Sequence, residues 1–441
     1  MDGVPGEDFT VEDVRGTFPR EISIQPLNRP VDATIRVPGS KSVTNRALLV
    51  AALADGPSTI RNPLFSDDSY WLMEALVRLG FDVHANRDAA EVRIIGQRGI
   101  IPRSGVDVFV GNAGTVARFL PPALALGEGP YRVDGVPRMG ERPVADLVDA
   151  MRELGANVKY AGEEGRFPLV VEGGGIRGGK ARVRGGKSSQ FVSGILMAAP
   201  YAGESVALEI EGRKEWPYVG ITVEVMRAFG VEIEAGEGFG RLAVEPGYYS
   251  AQDYDVEPDA SAASYFLAAA AVTGGRVRIP GLGEGSPQGD LRFAEALGEM
   301  GCEVDLASDF VEVRGPERLR GIDVDMGAFS DTMITLSAIV PFAEGPTTIR
   351  NVGHTRHQET DRIAAVATEL GRLGVKVEES PDSLRITPGS VNPATIRTYG
   401  DHRMAMAFAV TGLAAPGIRI RDPECVTKTF PDYFQRLDAL R

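Results

Sequence analysis

Hydrophobic and polar positions along the 441-residue chain recur with a long period. A glycine followed by a segment rich in β-branched residues returns at intervals of 70 to 74 residues, at Gly56, Gly129, Gly203, Gly275, Gly345 and Gly417. Short β-branched segments are typical of strands. Because the interval hardly varies, the pattern predicts six copies of one structural unit.

A segment of helical length that is apolar at almost every position precedes each of these glycines. The segments are NRALLVAALA, VARFLPPALAL, FVSGILMAAPYA, ASAASYFLAAAAV, DTMITLSAIVPFA and HRMAMAFAVTGLAA. Since a helix that is apolar all round is buried on most sides, we expect buried helices here. A second, amphipathic helix should follow each strand, end at a glycine and lead into a further strand, as in LVRLG-FDV and MRELG-ANV. In the sixth unit the chain stops before that strand.

The units predict an α/β protein of mixed sheets, and six units divide naturally into two domains of three. The segment YYSAQDYDVEPDA, between the third and fourth units, is the expected boundary. We predict a first domain over residues 40–256 and a second, discontinuous domain over 21–39 plus 257–441. Residues 1–20 would form an acidic N-terminal extension. The discontinuous domain requires the strand ISIQPL to pair with the second half of the chain.

The composition of the chain narrows the range of possible functions. The chain is 43% hydrophobic and 24% charged, as in folded globular proteins, and its formal charge of −14 disfavours nucleic acid or anionic membranes as partners. The N-terminus lacks the apolar region of a secretory signal, and no run of about 18 apolar residues would span a bilayer. Cys302, Cys425 and the four histidines show no metal-ligand spacing. We therefore expect a soluble, cytoplasmic protein without metal or cofactor.

A polar motif precedes each apolar helix: PGSKSVTNR, GNAGTVAR, GKSSQ, PDASAAS, FSDT and YGDHR. Each motif supplies a capping residue for backbone N–H groups that lack an intrahelical partner, and simple capping explains any one of them. Helix N-termini also bind phosphate and carboxylate. Basic residues gather in or near the motifs, so we interpret the motifs as binding sites for small anionic substrates. The basic residues are Lys41, Arg46, Arg118, Arg138, Arg403 and Lys428.

Two carboxylates near these cations are candidates for proton transfer. Glu359 lies one helical turn before Arg362, although a solvated ion pair would have the same spacing. Asp331 in FSDT is either an N-cap or a general base beside a polyanionic site. Arg138 and Arg142 in RMGERP flank Glu141 before another helix, and they either belong to the anion site or form a surface cluster with that glutamate.

In order, the motifs PGSKSVTNRALL, GNAGTVAR, PRMGERP, SSQFVSGILMAAP, DASAASYFLAAAA, QGDLRF, ETDR, DHRMAMAF and KTFPDYF closely resemble those of 5-enolpyruvylshikimate-3-phosphate (EPSP) synthases, over about residues 38–434. The resemblance implies the enolpyruvyl transferase fold, with six βαβαββ units in two pseudo-threefold domains around an interdomain cleft. It implies transfer of the enolpyruvyl group of phosphoenolpyruvate to the 5-hydroxyl of shikimate 3-phosphate, with release of phosphate, in aromatic amino-acid biosynthesis. It implies no metal or cofactor, and we expect a monomer.

Site residues follow from the resemblance, motif by motif. Phosphoenolpyruvate would contact Lys41, Asn112, Gly114, Arg138, Gln190, Arg362, Arg403 and Lys428. Shikimate 3-phosphate would contact Lys41, Ser42, Arg46, Ser188, Ser189, Gln190, Glu215, Tyr218, Asp331 and Gln358. The resemblance makes Asp331 the base at the attacking hydroxyl. Glu359, assisted by Lys41, would protonate the methylene carbon of phosphoenolpyruvate.

Several positions depart from the family pattern. Glu215 begins a Glu-Trp-Pro-Tyr segment where the family often has Ser-Lys-Pro-Tyr, Gln358 replaces a lysine, and His354 replaces an asparagine. These changes affect the expected substrate contacts. Phe119 stands where many members have proline, but Gly114 keeps the small residue beside the phosphoenolpyruvate site. We therefore expect inhibition by glyphosate, which competes there.

Two other functions remain open. A sister enzyme of the same fold transfers enolpyruvyl to UDP-N-acetylglucosamine, normally with a loop cysteine; neither cysteine of this chain lies in a comparable segment. A non-catalytic, anion-binding protein of the same fold would also need the cationic caps, although Asp331, Glu359 and Lys41 disfavour it.

Overall fold

Small mixed β-sheets alternate with helices along the chain. The computed structural model describes residues 17–184, 188–211 and 217–441, so most of the predicted N-terminal extension lies outside the described residues. The described residues divide into two compact units. The first unit is Gly39–Val256, and the second combines residues 17–38 with Glu257–Arg441.

Each of the six repeats contains the predicted apolar helix. These helices are Lys41–Leu53, Gly114–Leu124 and Ser189–Ala198 in the first unit, and Ala260–Thr273, Met333–Ile339 and His402–Ala414 in the second. Every residue from Val43 to Leu53 is buried, as the all-apolar pattern predicts. Within each unit the three apolar helices contact one another, so they form the centre of its core.

The predicted amphipathic helices also form, and they are Asp67–Arg78, Ala145–Glu153, Pro217–Ala228, Phe293–Glu299, Arg362–Arg372 and Tyr433–Asp438. A short additional helix spans Pro137–Glu141. The first five end at a glycine with positive φ, which is Gly80, Gly155, Gly230, Gly301 or Gly374. After Gly80 (φ 93°), the N–H of Phe81 donates to the carbonyl of Leu76 at 3.0 Å. Glycine reaches this left-handed conformation without steric cost, which confirms the predicted C-caps.

The sheets of the first unit have four strands each. In spatial order they are Asp253–Asp255, Asp55–Arg61, Glu91–Gln97 and Asp82–Asn86; Asp107–Phe109, Tyr131–Asp134, Leu169–Gly173 and Asn157–Tyr160; and Gly179–Arg184, Val206–Glu211, Arg241–Val244 and Glu234–Ala235. The first two strands of each sheet are parallel and the remaining pairs are antiparallel.

The second unit has two four-stranded sheets and one three-stranded sheet within the described residues. They are Asp32–Thr34, Arg276–Pro280, Phe310–Arg314 and Glu303–Leu306; Asp323–Asp325, Thr347–Arg350, Leu384–Thr387 and Lys376–Glu379; and Ala394–Ile396, Ile418–Arg421 and Glu21–Ser23. Ile22 pairs with Ile420 across an antiparallel ladder, and Ala33 pairs with Val277 in a parallel one. These two ladders tie residues 17–38 to the second unit.

No helix in the described part of the chain combines the length and the apolarity needed to cross a membrane.

Candidate active site

A buried network of three cations and three carboxylates lies in the second unit, and Arg362 is its centre. This side chain is only 2% exposed, at the start of the helix Arg362–Arg372. Its Nε donates to Asp401 Oδ2 at 2.8 Å, its Nη1 to Asp331 Oδ1 at 3.0 Å and its Nη2 to Glu359 Oε2 at 3.0 Å. Burial lowers the pKa of Arg362, but the carboxylates of Asp401, Glu359 and Asp331 raise it above its ordinary value. The guanidinium therefore stays charged.

Asp331 lies between two guanidinium groups. A short 3₁₀ segment, Gly327–Thr332, carries it, and its second oxygen accepts from Arg403 Nη2 at 2.6 Å. The N-cap of the following helix is Thr332, so the alternative that Asp331 is merely that cap is wrong. The side chain keeps 17% exposure, which leaves the carboxylate reachable.

Glu359 is held by two cations of the same network. Its Oε1 lies 3.1 Å from Lys428 Nζ, while Oε2 contacts Arg362. The side chains of Glu359 and Lys428 are 8% and 7% exposed. The alternative of a solvated surface ion pair is therefore wrong for Glu359.

Asp401 is a member of the network that the sequence analysis did not single out. It is the N-cap of the helix His402–Ala414, where its side chain accepts from the backbone N–H of Arg403 at 2.9 Å, and it is fully buried. The same carboxylate binds Arg362. The sequence signal that could have identified Asp401 was its place at a helix cap, directly before the basic residues His402 and Arg403. Helix capping alone already explained an aspartate there.

In the first unit, the helix Lys41–Leu53 begins at the N-cap Ser40 and carries three predicted ligands. Lys41 and Ser42 occupy its first turn, and Lys41 Nζ lies 3.9 Å from the buried carboxylate of Asp68. Arg46, one turn further on, is fully buried.

Neutral acceptors surround Arg46. Its guanidinium donates to Thr222 Oγ1 at 2.7 Å, to the Ser42 carbonyl at 2.7 Å, to Ser193 Oγ at 3.1 Å and to the Tyr218 carbonyl at 3.0 Å. Burial lowers the pKa of Arg46 to about 9, and Tyr218 acts in the opposite direction. Arg46 therefore carries its charge at neutral pH without a carboxylate among these acceptors.

The helix Gly114–Leu124 begins against the guanidinium of Arg142. A Cβ added to Gly114 would lie 2.7 Å from Arg142 Nη2 and 2.8 Å from Nη1. Arg142 is 6% exposed, whereas the side chain of Arg138 is 35% exposed and pairs with Glu141 at 2.6 Å. The assignment of Arg138 stays a prediction, and the structure brings Arg142 next to Gly114.

The remaining predicted ligands of the first unit lie at two further helix starts. Ser188 is the N-cap of Ser189–Ala198, and its Oγ accepts from the backbone N–H of Gln190 at 3.3 Å. Tyr218 lies in the first turn of Pro217–Ala228. Asn112 precedes Gly114 by two residues. Glu215 lies outside the described residues.

Comparison with known proteins decides the family. A family model described as EPSP synthase (3-phosphoshikimate 1-carboxyvinyltransferase) matches residues 27–437. The 3-phosphoshikimate 1-carboxyvinyltransferase of Nostoc punctiforme is 52% identical over 418 residues, which cover 94% of this chain and 98% of that protein. The chain belongs to the EPSP synthase family.

Other members of the EPSP synthase family agree. The 3-phosphoshikimate 1-carboxyvinyltransferase of Burkholderia vietnamiensis is 47% identical, over 92% of this chain and 96% of that protein. A solved EPSP synthase structure from Acinetobacter baumannii matches with a TM-score of 0.80 at 25% identity, over 95% of this chain and 98% of that one. The predicted enolpyruvyl transferase fold is thereby confirmed.

The departures from the EPSP synthase pattern have local consequences. Gln358 Oε1 accepts a hydrogen bond from Arg362 Nη1, so it joins the buried network. His354 Nε2 lies 2.7 Å from Ser330 Oγ, next to Asp331. Phe119 is fully buried, and its ring centroid lies 4.9 Å from the guanidinium carbon of Arg46.

Proposed function

We propose that this chain transfers the enolpyruvyl group of phosphoenolpyruvate to the 5-hydroxyl of shikimate 3-phosphate, giving 5-enolpyruvylshikimate 3-phosphate and phosphate. Membership of the EPSP synthase family supports this reaction. The observation that carries the chemistry is the pair of carboxylates Asp331 and Glu359, each held against two cations of one buried network.

Charge balance in this network supports the role of Glu359 as the general acid. The cations Arg362, Arg403 and Lys428 are matched in number by three carboxylates, so a phosphorylated substrate adds uncompensated negative charge. An added anion favours the protonated form of Glu359, because like charges raise the cost of ionisation. A protonated carboxyl is what the methylene carbon of phosphoenolpyruvate requires from a general acid.

Asp331 is the proposed base. It removes the proton of the 5-hydroxyl as that oxygen attacks C2 of phosphoenolpyruvate, while Glu359 delivers a proton to C3. The resulting tetrahedral intermediate loses phosphate by C–O cleavage, taking the proton held by Asp331, and its new methyl group returns a proton to the Glu359 carboxylate, which restores the enol double bond. The phosphoryl group is not transferred, and fixed cations stabilise the charge that develops.

The first unit supplies the other proposed contacts. Ser42, Arg46, Ser188, Ser189, Gln190, Glu215 and Tyr218 would bind shikimate 3-phosphate, together with Asp331 and Gln358. The two serines and Gln190 stand at a helix start, where backbone N–H groups favour phosphate. Lys41 would contact both substrates.

For phosphoenolpyruvate we add Arg142 to the first-unit residues Asn112, Gly114 and Gln190. The buried guanidinium of Arg142 beside Gly114 is better suited to a small anion than the more exposed Arg138, which already has Glu141 as a partner. A monomeric chain and a cytoplasmic location are also part of the proposal.

The deciding experiment measures phosphate release from shikimate 3-phosphate plus phosphoenolpyruvate in the presence of a metal chelator. We expect turnover that depends on both substrates. UDP-N-acetylglucosamine in place of shikimate 3-phosphate is the control for the sister reaction. If phosphate is released from phosphoenolpyruvate with UDP-N-acetylglucosamine but not with shikimate 3-phosphate, the chain catalyses the sister reaction instead. No release with either acceptor would favour a non-catalytic, anion-binding protein.

A further inference from the structure

A strained turn precedes the capping residue Asp401. The N–H of Asp401 donates to the carbonyl of Thr398 at 2.8 Å, and both residues between them have positive φ, 56° at Tyr399 and 69° at Gly400. Turns with two left-handed central residues strongly favour Asn-Gly or Gly-Gly, since those residues tolerate this backbone. A bulky aromatic residue at the first position is an outlier that the surrounding structure has to maintain.

Glu369 provides that support from the helix Arg362–Arg372. Its side chain is fully buried, and Oε1 accepts from the hydroxyl of Tyr399 at 2.7 Å. Oε2 accepts from the backbone N–H of Arg397 at 3.2 Å and from Arg372 Nε at 3.0 Å. One of these three donors, the Tyr399 hydroxyl, belongs to the turn and another, the Arg397 N–H, directly precedes it, so Glu369 does more than pair with a neighbouring arginine.

The helix Arg362–Arg372 also contacts the turn through a second side chain, Arg362. Glu369 follows Arg362 by seven residues, which places both on one face of the helix. Arg362 binds the Asp401 carboxylate directly after the turn, and Asp401 in turn accepts from the backbone of Arg403. A displacement of the turn would therefore move Asp401 and Arg403 away from Asp331.

We infer that Glu369 and Tyr399 are positioning residues whose hydrogen bond holds the left-handed turn that presents Asp401 and Arg403. The inference deepens the proposed function and rests on it for its effect on activity. Neither residue needs to contact substrate. The raised pKa of Tyr399, about 12 through burial and its contact with Glu369, keeps its hydroxyl protonated as the donor.

Two variants test the inference. Tyr399→Phe removes only the hydroxyl, and we expect kcat/KM for phosphoenolpyruvate to fall about tenfold or more, since small misplacements of binding groups are costly. Tyr399→Gly also lacks the hydroxyl but adopts a left-handed backbone without strain, so it should recover most of the loss. Tyr248→Phe, at another exposed tyrosine, is the matched control and should change nothing.

Amide hydrogen exchange at Asp401 reports on the turn without turnover. We expect exchange about tenfold faster in Tyr399→Phe than in the parent, with slow exchange restored in Tyr399→Gly. Unchanged exchange in Tyr399→Phe, or equal acceleration in both variants, would overturn the inference. If exchange at Asp401 responds to the variants as expected but the parent protein releases no phosphate, the proposed function fails while the positioning role of Glu369 and Tyr399 stands.

Discussion

Substitution of Gly114 by alanine tests the role of Arg142 with the smallest available change. Gly114 is the first residue of the helix Gly114–Leu124, and its φ is not in the left-handed region. Alanine therefore fits the backbone, and the loss of unfolded-state entropy should raise stability by about 0.4–1 kcal/mol. A decrease in activity would then not come from loss of the fold.

The added methyl group meets the guanidinium of Arg142 at 2.7 Å from Nη2 and 2.8 Å from Nη1. Ordinary contact requires about 3.5 Å, so the guanidinium has to retreat by roughly 0.7 Å. Because Arg142 is a flexible side chain, this movement costs little energy, but it displaces the hydrogen bond donors. A charge-assisted hydrogen bond at its best length contributes about 1.5–3 kcal/mol, and losing most of one would raise the KM for phosphoenolpyruvate by about tenfold.

Steady-state kinetics with each substrate varied in turn measure the effect. We expect the KM for phosphoenolpyruvate to rise while the KM for shikimate 3-phosphate changes much less. Gly298→Ala is the matched control, because it also adds a methyl group to a helix but reaches only ordinary contact, 3.6 Å from Val304 Cγ2. An unchanged KM for phosphoenolpyruvate in Gly114→Ala would refute the placement of Arg142 at the substrate.

Three further predictions concern the same reaction. Asp331→Ala should abolish turnover but retain binding of shikimate 3-phosphate, as measured by phosphate release and calorimetry; near-normal turnover would remove its role as base. Glyphosate should inhibit competitively with phosphoenolpyruvate, and unchanged activity at millimolar glyphosate would contradict that expectation. Arg46→Lys should lower the free energy of unfolding in urea by about 3 kcal/mol, because a lysine cannot reproduce the fork of hydrogen bonds to four acceptors around this buried side chain. The exposed Arg98→Lys is its control, and an equal loss in both variants would count against the argument.

Much of the fold could be predicted from periodicity. The near-uniform spacing of Gly56 and its five equivalents predicted the six repeats, and the apolar segments predicted the buried helices. The C-cap glycines followed from local chemistry, since the left-handed residue after a helix is most easily glycine. These features depend on neighbours in sequence, which is why a single chain suffices to predict them.

The partners of the site residues could not be predicted in the same way. The sequence could not distinguish a surface ion pair from a buried one at Glu359. The burial of this side chain depends on residues far along the chain, such as Lys428. The family resemblance also assigned Arg138 to phosphoenolpyruvate and gave Arg142, in the same motif, no ligand. In the structure Arg142 is the C-cap of the short helix Pro137–Glu141, and its guanidinium lies against Gly114, a contact with an earlier segment of the chain that the motif alone does not reveal.

The sequence by itself determined the repeated unit, the apolar helices and the order of motifs that identifies the family, because local patterns and their spacing along the chain are visible without knowing which segments meet in space. Only the tertiary structure decided that Asp331, Glu359 and Asp401 share Arg362, and that Glu369 supports the turn before Asp401. The physical reason is that ion pairs and hydrogen bonds are short-ranged. Their partners lie up to 72 residues apart in the chain, and only the completed fold brings them to about 3 Å from each other.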